Sequence, residues 1–228
     1  MPAPIEIFQE NMNEVNILMN IHERLTGRQP GRRYGVEVLN KSAIVLITAC
    51  WESVVEDLAG DGFDFLLEKA TSPDKIPMKV RVLASRGLKE DQDETKVWNL
   101  AADGWKDVLK DHKEHMLRRF IGTFNTPRAE NVDNLFDNLI GLNKVSSSWY
   151  WGRITVTEAR GKLDSFVTRR GEIAHRVMTA RSVAKTTVRD YQNFVYRIAV
   201  LTSNRVAGHI SRLVGDRPWG IWQYGSVS

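Results

Sequence analysis

An arginine and a histidine stand five residues apart in segment 169–175, which reads RRGEIAH. A neutral imidazole with an ordinary pKa can take the proton from a ribose 2′-hydroxyl, which then attacks the adjacent phosphate. A guanidinium offers planar, permanently charged donors that stabilise the negative charge growing on the phosphate oxygens. Arg170 and His175 therefore have the chemistry of a ribonuclease that needs no metal ion and no other cofactor.

The helix that carries this pair is predicted over residues 158–177, with Thr157 as its N-cap. At about 100° per residue, one apolar stripe includes Leu163 and the residues on its side of the helix. Arg170 falls in the middle of that stripe, where an unpaired guanidinium is costly to desolvate. Arg169 and His175 fall on its two flanks. The predicted stripe consists of Leu163, Phe166, Val167, Ile173, Ala174 and Val177.

The spacing of Arg170 and His175 sets a geometric problem. Five residues along a regular helix separate two side chains by about 7.5 Å along the axis and about 140° around it, so one straight helix does not direct both at a single phosphate. Either the helix ends or bends near Gly171, or two copies of the motif meet across a dimer axis. We favour the dimer.

Arg170 also has a purely structural interpretation. An acid of the central helix, Glu52 or Glu56, could neutralise it, while His175 caps backbone carbonyls. Structural ion pairs outnumber active sites, and the residue pattern alone does not decide between the two interpretations.

Apolar residues recur at helical spacing through most of the chain, which predicts an all-α fold. A central core helix over 36–59 is expected to stop at Gly60-Asp61-Gly62. The stretch 141–152 is predicted to be a loop rich in serine and aromatic residues. The other predicted helices cover 5–25, 63–70, 76–86, 93–121, 128–140 and 183–214.

The bulk properties indicate an ordinary globular protein. The length of 228 residues predicts one domain over residues 1–228, with a core over about 36–215 and an aromatic tail over 216–228. The longest apolar run, residues 43–51, is far short of the ~20 needed to cross a bilayer, and the N-terminus lacks a secretory pattern. We therefore expect a cytoplasmic protein, with Cys50 as a buried and inert thiol.

Basic residues concentrate in the last third of the chain. Residues 1–152 contain 19 Lys and Arg and 23 Asp and Glu, a net charge of −4, whereas residues 153–228 contain 13 and 5, a net charge of +8. This asymmetry is consistent with RNA binding and equally with solvated helix faces. The loop aromatics could stack on unpaired bases or fill a core or dimer interface, and we favour the interface. The RNA-binding candidates are Arg176, Arg181, Lys185, Trp149 and Trp151.

Other sequence patterns give weaker indications of function. His112 and His115 lie three residues apart in a charged helix, without the four-residue spacing of metalloprotease ligands, and we interpret them as a solvated face. No phosphate-binding glycine loop and no Gly-x-Ser-x-Gly motif occurs, which argues against a nucleotide hydrolase or an esterase. We expect no metal site and no cofactor.

Segment 170–175 resembles the R-x4-H motif of HEPN domains. Segment 49–58 (ACWESVVEDL) is similar to the Trp-Glu helix of the RiboL-PSP branch, and residues 124–136 are similar to the entry to that branch's middle helix. The resemblance implies a HEPN-type helical bundle with additional helices that dimerises into a composite RNase site. Arg170 and His175 inherit the catalytic roles, and Glu52 is a candidate to orient either of them. Arg169 and Glu172 are further supporting residues.

The resemblance also implies a biological setting. Such proteins commonly act in bacterial toxin–antitoxin or antiphage-defence systems, so we expect RNA as the target and an antitoxin or defence protein as a possible partner. Gly171 departs from the pattern, since a polar residue usually follows the motif arginine. The pattern is kept if Arg169 is the motif arginine and Arg170 its polar successor. The alternative function is a non-catalytic HEPN module that binds RNA, a nucleotide or a protein.

Overall fold

A computed structural model of the chain describes residues 2–26, 36–90, 93–123, 127–176 and 182–225. Within these ranges the chain is helical and has no β-strand, which confirms the all-α prediction. Short 3-10 helices cover Pro73–Lys75, Glu94–Leu100 and Val145–Ser148. The α-helices are α1 (Pro4–Thr26), α2 (Glu37–Lys69), α3 (Met78–Ala84), α4 (Arg86–Glu90), α5 (Gly104–Thr123), α6 (Ala129–Ile140), α7 (Val156–Arg176) and α8 (Lys185–Val214).

The helices group into two compact units. The first comprises residues 1–55, 149–201 and 222–228, and therefore contains α1, the first part of α2, α7 and the first part of α8. The second comprises residues 56–148 and 202–221. The motif helix α7 belongs to the first unit, and a single domain over 1–228 stays a prediction.

Helix α2 does not stop at residues 60–62, so the prediction of two helices over 36–59 and 63–70 is wrong. A Cβ placed on Gly62 would lie 3.0 Å from Ile210 Cδ1 and 3.2 Å from Val206 Cγ1. Glycine therefore serves close packing of α8 on α2. Glycine inside a helix costs about 1 kcal/mol relative to alanine, and the packing of the buried helix offsets this cost.

The predicted helix 93–121 is also divided. A 3-10 helix precedes a turn in which Ala102 has a φ of 50°, and α5 begins only at Gly104. A Cβ on Gly104 would lie 2.0 Å from the carbonyl oxygen of Asn99, so a side chain is excluded there. The predicted helix 76–86 is similarly divided at Ser85 into α3 and α4. The predicted turns at 29–31 and 125–127 fall largely outside the described residues.

The core of the first unit is built around two tryptophans. Trp51 of α2 and Trp149 are both fully buried, and their rings meet edge to face with centroids 5.8 Å apart. Such a pair contributes about 0.5–1.5 kcal/mol beyond the area that it buries. Cys50, the residue before Trp51, is also buried, and burial raises the pKa of its thiol to about 11, in agreement with the predicted inert thiol.

By length and composition, α2 could cross a bilayer, and half of its most apolar 18-residue window is buried inside the protein. A buried core helix has the same composition. Among the described residues α2 is the one helix of this kind, which is weak evidence for a membrane span.

Candidate active site

Helix α7 begins two residues earlier than the sequence indicated. Thr155 is the N-cap: its hydroxyl accepts a hydrogen bond from the Glu158 backbone N–H at 3.3 Å, and Glu158 Oε2 accepts one from the Thr155 backbone N–H at 2.8 Å. This is a capping box, in which two otherwise unpaired N–H groups are satisfied reciprocally. Hydrogen bonds from Thr155 lower the pKa of Glu158. The predicted N-cap, Thr157, is therefore wrong.

The apolar stripe of α7 is buried up to Ile173. Leu163, Phe166 and Val167 are at most 1% exposed, as predicted, and Ile173 is 9% exposed. Ala174 is exposed, contrary to the prediction, because the buried face ends one residue earlier. Val177 lies outside the described residues. The helix is thus anchored on the core up to Ile173.

Arg170 is half-buried on this anchored helix. Its Nε atom is buried and has no hydrogen-bond partner among the described residues. Its charge acts on Glu52 of α2, also half-buried: burial raises the pKa of that carboxyl, and the nearby guanidinium partly lowers it again. Arg170 thus lies near enough to Glu52 for its charge to affect the carboxyl, and the orienting role of Glu52 stays a prediction.

The Arg170–Glu52 pair leads to a stability prediction. Burial gives Glu52 a higher pKa in the folded chain than in the unfolded chain, so the carboxyl's contribution to stability falls as pH rises through the folded pKa. In Arg170→Ala the pKa of Glu52 rises further. We therefore expect Arg170→Ala to lower the free energy of unfolding more at about pH 7.5 than at about pH 4.5, measured by urea titration.

A double-mutant cycle isolates the pair. Glu52→Gln removes the carboxyl charge, so the double variant should lose less stability than Arg170→Ala alone, with a coupling of about 1 kcal/mol, discounted because both side chains are partly solvated. The exposed Arg153→Ala serves as the control for loss of a guanidinium. A pH-independent effect of Arg170→Ala would show that the two charges are not coupled.

His175 belongs to α7 by its backbone, but its side chain lies outside what the structure describes, as does that of Arg176. Arg181 also lies outside the described residues. Helix α7 passes through Gly171 without ending there. A Cβ on Gly171 would meet no atom of the described residues within 4 Å.

The other supporting candidates flank the motif. Arg169 is half-buried, and its guanidinium carbon lies 6.0 Å from the ring centroid of Tyr191 on α8. Glu172 is also half-buried. Their roles in the site stay predictions.

Two of the RNA-binding candidates lie in structural positions. Trp149 is fully buried against Trp51, so its ring has no free face for a base, and the stacking role suggested for it is corrected. Lys185 forms an ion pair with Glu23 of α1, which Arg189 also contacts at 2.6 Å. Trp151 is half-buried and packs against Phe194, with ring centroids 6.1 Å apart.

His112 is also structural. It is buried, and its Nε2 atom lies 3.0 Å from the carbonyl oxygen of Asn138, while burial lowers its pKa. The interpretation as a solvated face is therefore wrong for His112 and right for His115, which is exposed. No cluster of three or more potential metal-ligating side chains occurs within the described part of the chain.

An apolar groove beside the motif was missed in the sequence. It has a volume of about 510 Å³ and is lined from α1, α2 and Ile173 of α7. Val38 is 61% exposed and Val45 is 37% exposed in its lining. On α1, Ile17, Ile21 and Leu25 are exposed at intervals of four residues, a spacing that could have signalled an outward apolar stripe.

Comparison with known proteins adds one match. The sequence profile of the family described as RiboL-PSP-HEPN matches residues 6–207. No curated protein and no solved structure matches the chain.

Proposed function

Because the chain belongs to the RiboL-PSP-HEPN family, we propose that it is a metal-independent endoribonuclease in which Arg170 and His175 carry the reaction. Membership by itself supports a nuclease or an RNA-related module. The finer proposal adds that the protein acts as a toxin or antiphage-defence effector in the cytoplasm and that an antitoxin or another defence protein controls it. The family resemblance supports that setting.

The state of Arg170 is the observation that carries the proposal. Arg170 forms no hydrogen bond with a described residue, and its terminal nitrogens, unlike its buried Nε, are not among the buried unpaired atoms, so these terminal donors are free for a ligand. A phosphate offers two oxygens to such terminal donors, an arrangement that guanidinium groups bind strongly. Glu52 lies near enough to orient the guanidinium electrostatically.

The proposed reaction needs no redox partner. His175 removes the proton from the ribose 2′-hydroxyl, and the 2′-oxygen attacks the adjacent phosphorus atom. The bond from phosphorus to the 5′-oxygen breaks, water gives that oxygen a proton, and His175 returns the proton it took to the solvent. Arg170 stabilises the charge on the non-bridging oxygens. The products are a 2′,3′-cyclic phosphate and a 5′-hydroxyl.

A homodimer would solve the geometric problem of the motif. The helix continues through Gly171, so Arg170 and His175 of one chain stay separated by about 7.5 Å along the helix axis and by about 140° around it. The apolar groove next to Ile173 would suit a second copy, because exposed apolar patches commonly mark protein interfaces. The guanidinium of one copy and the imidazole of the other could then act on one phosphate.

The test is cleavage of diverse RNAs by the purified protein in excess EDTA. We expect cuts that leave 2′,3′-cyclic phosphate ends. A substrate with a 2′-deoxyribose at the cleaved nucleotide should resist cutting, because it lacks the nucleophile. Intact RNA after prolonged incubation at high protein concentration would contradict the proposal.

A non-catalytic HEPN module is the second candidate, and Gly171 favours it. Glycine stands where the family usually has a polar side chain, although no described residue would block one. Such a module would bind RNA, a nucleotide or a protein as a sensor or scaffold. Toxicity on expression that disappears in His175→Ala would exclude it.

A further inference from the structure

Basic and aromatic side chains of the first unit contact one another in an alternating series. Lys162 Nζ lies 6.0 Å from the ring centroid of Tyr191 and 5.0 Å from that of Phe194. The Arg197 guanidinium lies 5.3 Å from the Trp151 centroid and 3.8 Å from that of Tyr224. With Arg169 at the Tyr191 ring, these contacts form what we call the cation–aromatic track: Arg169, Tyr191, Lys162, Phe194, Trp151, Arg197 and Tyr224.

The cations of the track differ from their neighbours in pairing. Lys162, Arg169 and Arg197 form no ion pair with an acidic side chain of the described ranges. By contrast, Lys185 and Arg189 at the start of α8 both pair with Glu23. The positive charge of the track is therefore not neutralised within the described chain and is available to an anion.

The rings of the track are partly accessible. Tyr191, Trp151 and Tyr224 are half-buried, and Phe194 forms a buried floor between them. Lys162 is exposed. A purely internal role would leave the cations without a partner of opposite charge, whereas a ligand with both flat rings and regular anionic groups would use both components.

Single-stranded RNA has these two properties. Its unpaired bases stack on aromatic rings, and its phosphates pair with Lys and Arg along the same strand. Duplex RNA hides its base faces, and an acidic protein segment would use the cations but not the rings. The distance from Tyr191 to Arg197 along α8 is about 9 Å, which suits a stretch of a few nucleotides.

We propose that the cation–aromatic track binds the single-stranded part of the RNA that is cleaved at Arg170. The track ends at Arg169, the residue directly before the motif arginine. A strand on the track would thus end beside the motif. This inference rests on the proposed function for the identity of the ligand.

Binding is tested with the full-length protein and a fluorescent 12-nucleotide single strand of 2′-O-methyl RNA, which lacks the free 2′-hydroxyl and cannot be cut. Anisotropy titrations at several salt concentrations give the affinity and its salt dependence. We expect Lys162→Gln and Arg197→Gln each to lower the slope of log K against log salt by about 0.7, which is about fivefold in affinity near 0.1 M salt. Arg189→Gln is the matched control, because the Arg189 guanidinium already contacts Glu23. This variant should change neither the affinity nor the salt slope.

The aromatic component has a different signature. Trp151→Leu should weaken binding by about 5- to 150-fold without changing the salt slope, because stacking releases no counterions. A melting temperature equal to that of the wild type verifies the fold of each variant, and exposed Lys162 tolerates replacement in any case. Wild-type affinity and slope in Lys162→Gln and Arg197→Gln would overturn the track and leave an acidic protein as the ligand to consider. If these variants bind as the wild type does and the protein cleaves RNA, the track proposal fails and the proposed function stands. If binding depends on the track but the protein does not cleave RNA, the RNase proposal fails and the track remains an RNA-binding surface.

Discussion

Replacing His175 with alanine is expected to lower the rate of RNA cleavage by about 10²- to 10⁴-fold in the presence of EDTA, because a positioned general base contributes that much. Arg170→Ala should lower it by about 10²- to 10³-fold, the loss that follows removal of one donor to a developing oxyanion. Both effects should appear in the rate at saturating RNA. Single-turnover cleavage of a labelled RNA measures them.

Matched controls separate the site from general effects of substitution. His115 is exposed, and Arg118 is 79% exposed and contacts Glu114 on its own helix, so His115→Ala and Arg118→Ala should leave the rate unchanged. A purely structural Arg170 would instead lower the melting temperature strongly and leave the rate per folded molecule intact. Cleavage that survives both His175→Ala and Arg170→Ala would refute the assigned roles.

Trp149→Ala is expected to reduce the free energy of unfolding by about 3–5 kcal/mol, the usual cost of deleting a large buried aromatic side chain. Trp149 is fully buried against Trp51, so the deletion leaves a cavity in the core of the first unit. Tyr150, its neighbour in sequence, is 64% exposed, and Tyr150→Ala should change stability by less than about 0.5 kcal/mol. Urea unfolding at constant pH measures both.

The same pair of variants distinguishes the two roles considered for the loop aromatics. If Trp149 stacked on RNA, its replacement would weaken RNA binding and leave the unfolding free energy nearly unchanged. That outcome would contradict the position of Trp149 in the core.

The helical pattern of the sequence predicted the elements that position the site. The buried face of α7 up to Ile173 and the core face of α2 follow from apolar residues repeating every three or four positions. The same count placed Arg170 on the buried side of α7, where the structure has it half-buried with its charge acting on Glu52. These features are local to one helix, and one helix suffices to predict them.

Features that depend on a second element were predicted poorly. Gly62 indicates a helix end by propensity, but the side chains of Val206 and Ile210, far along the chain, require a glycine inside the helix. Trp149 and Trp151 look equivalent in sequence, and only packing against Trp51 or Phe194 separates them. The cation–aromatic track joins α7, α8 and the C-terminal tail, so no single segment reveals it.

The central claim is that an arginine and a histidine from two copies of the chain act on one phosphodiester. The direct test mixes Arg170→Ala with His175→Ala under conditions that allow subunits to exchange, with different mass tags on the two variants. We predict that the mixture cleaves RNA at least tenfold faster than either variant alone, because the heterodimer regains one site that contains both residues. A mixture that contains heterodimers by native mass spectrometry and is as inactive as its components would contradict the account.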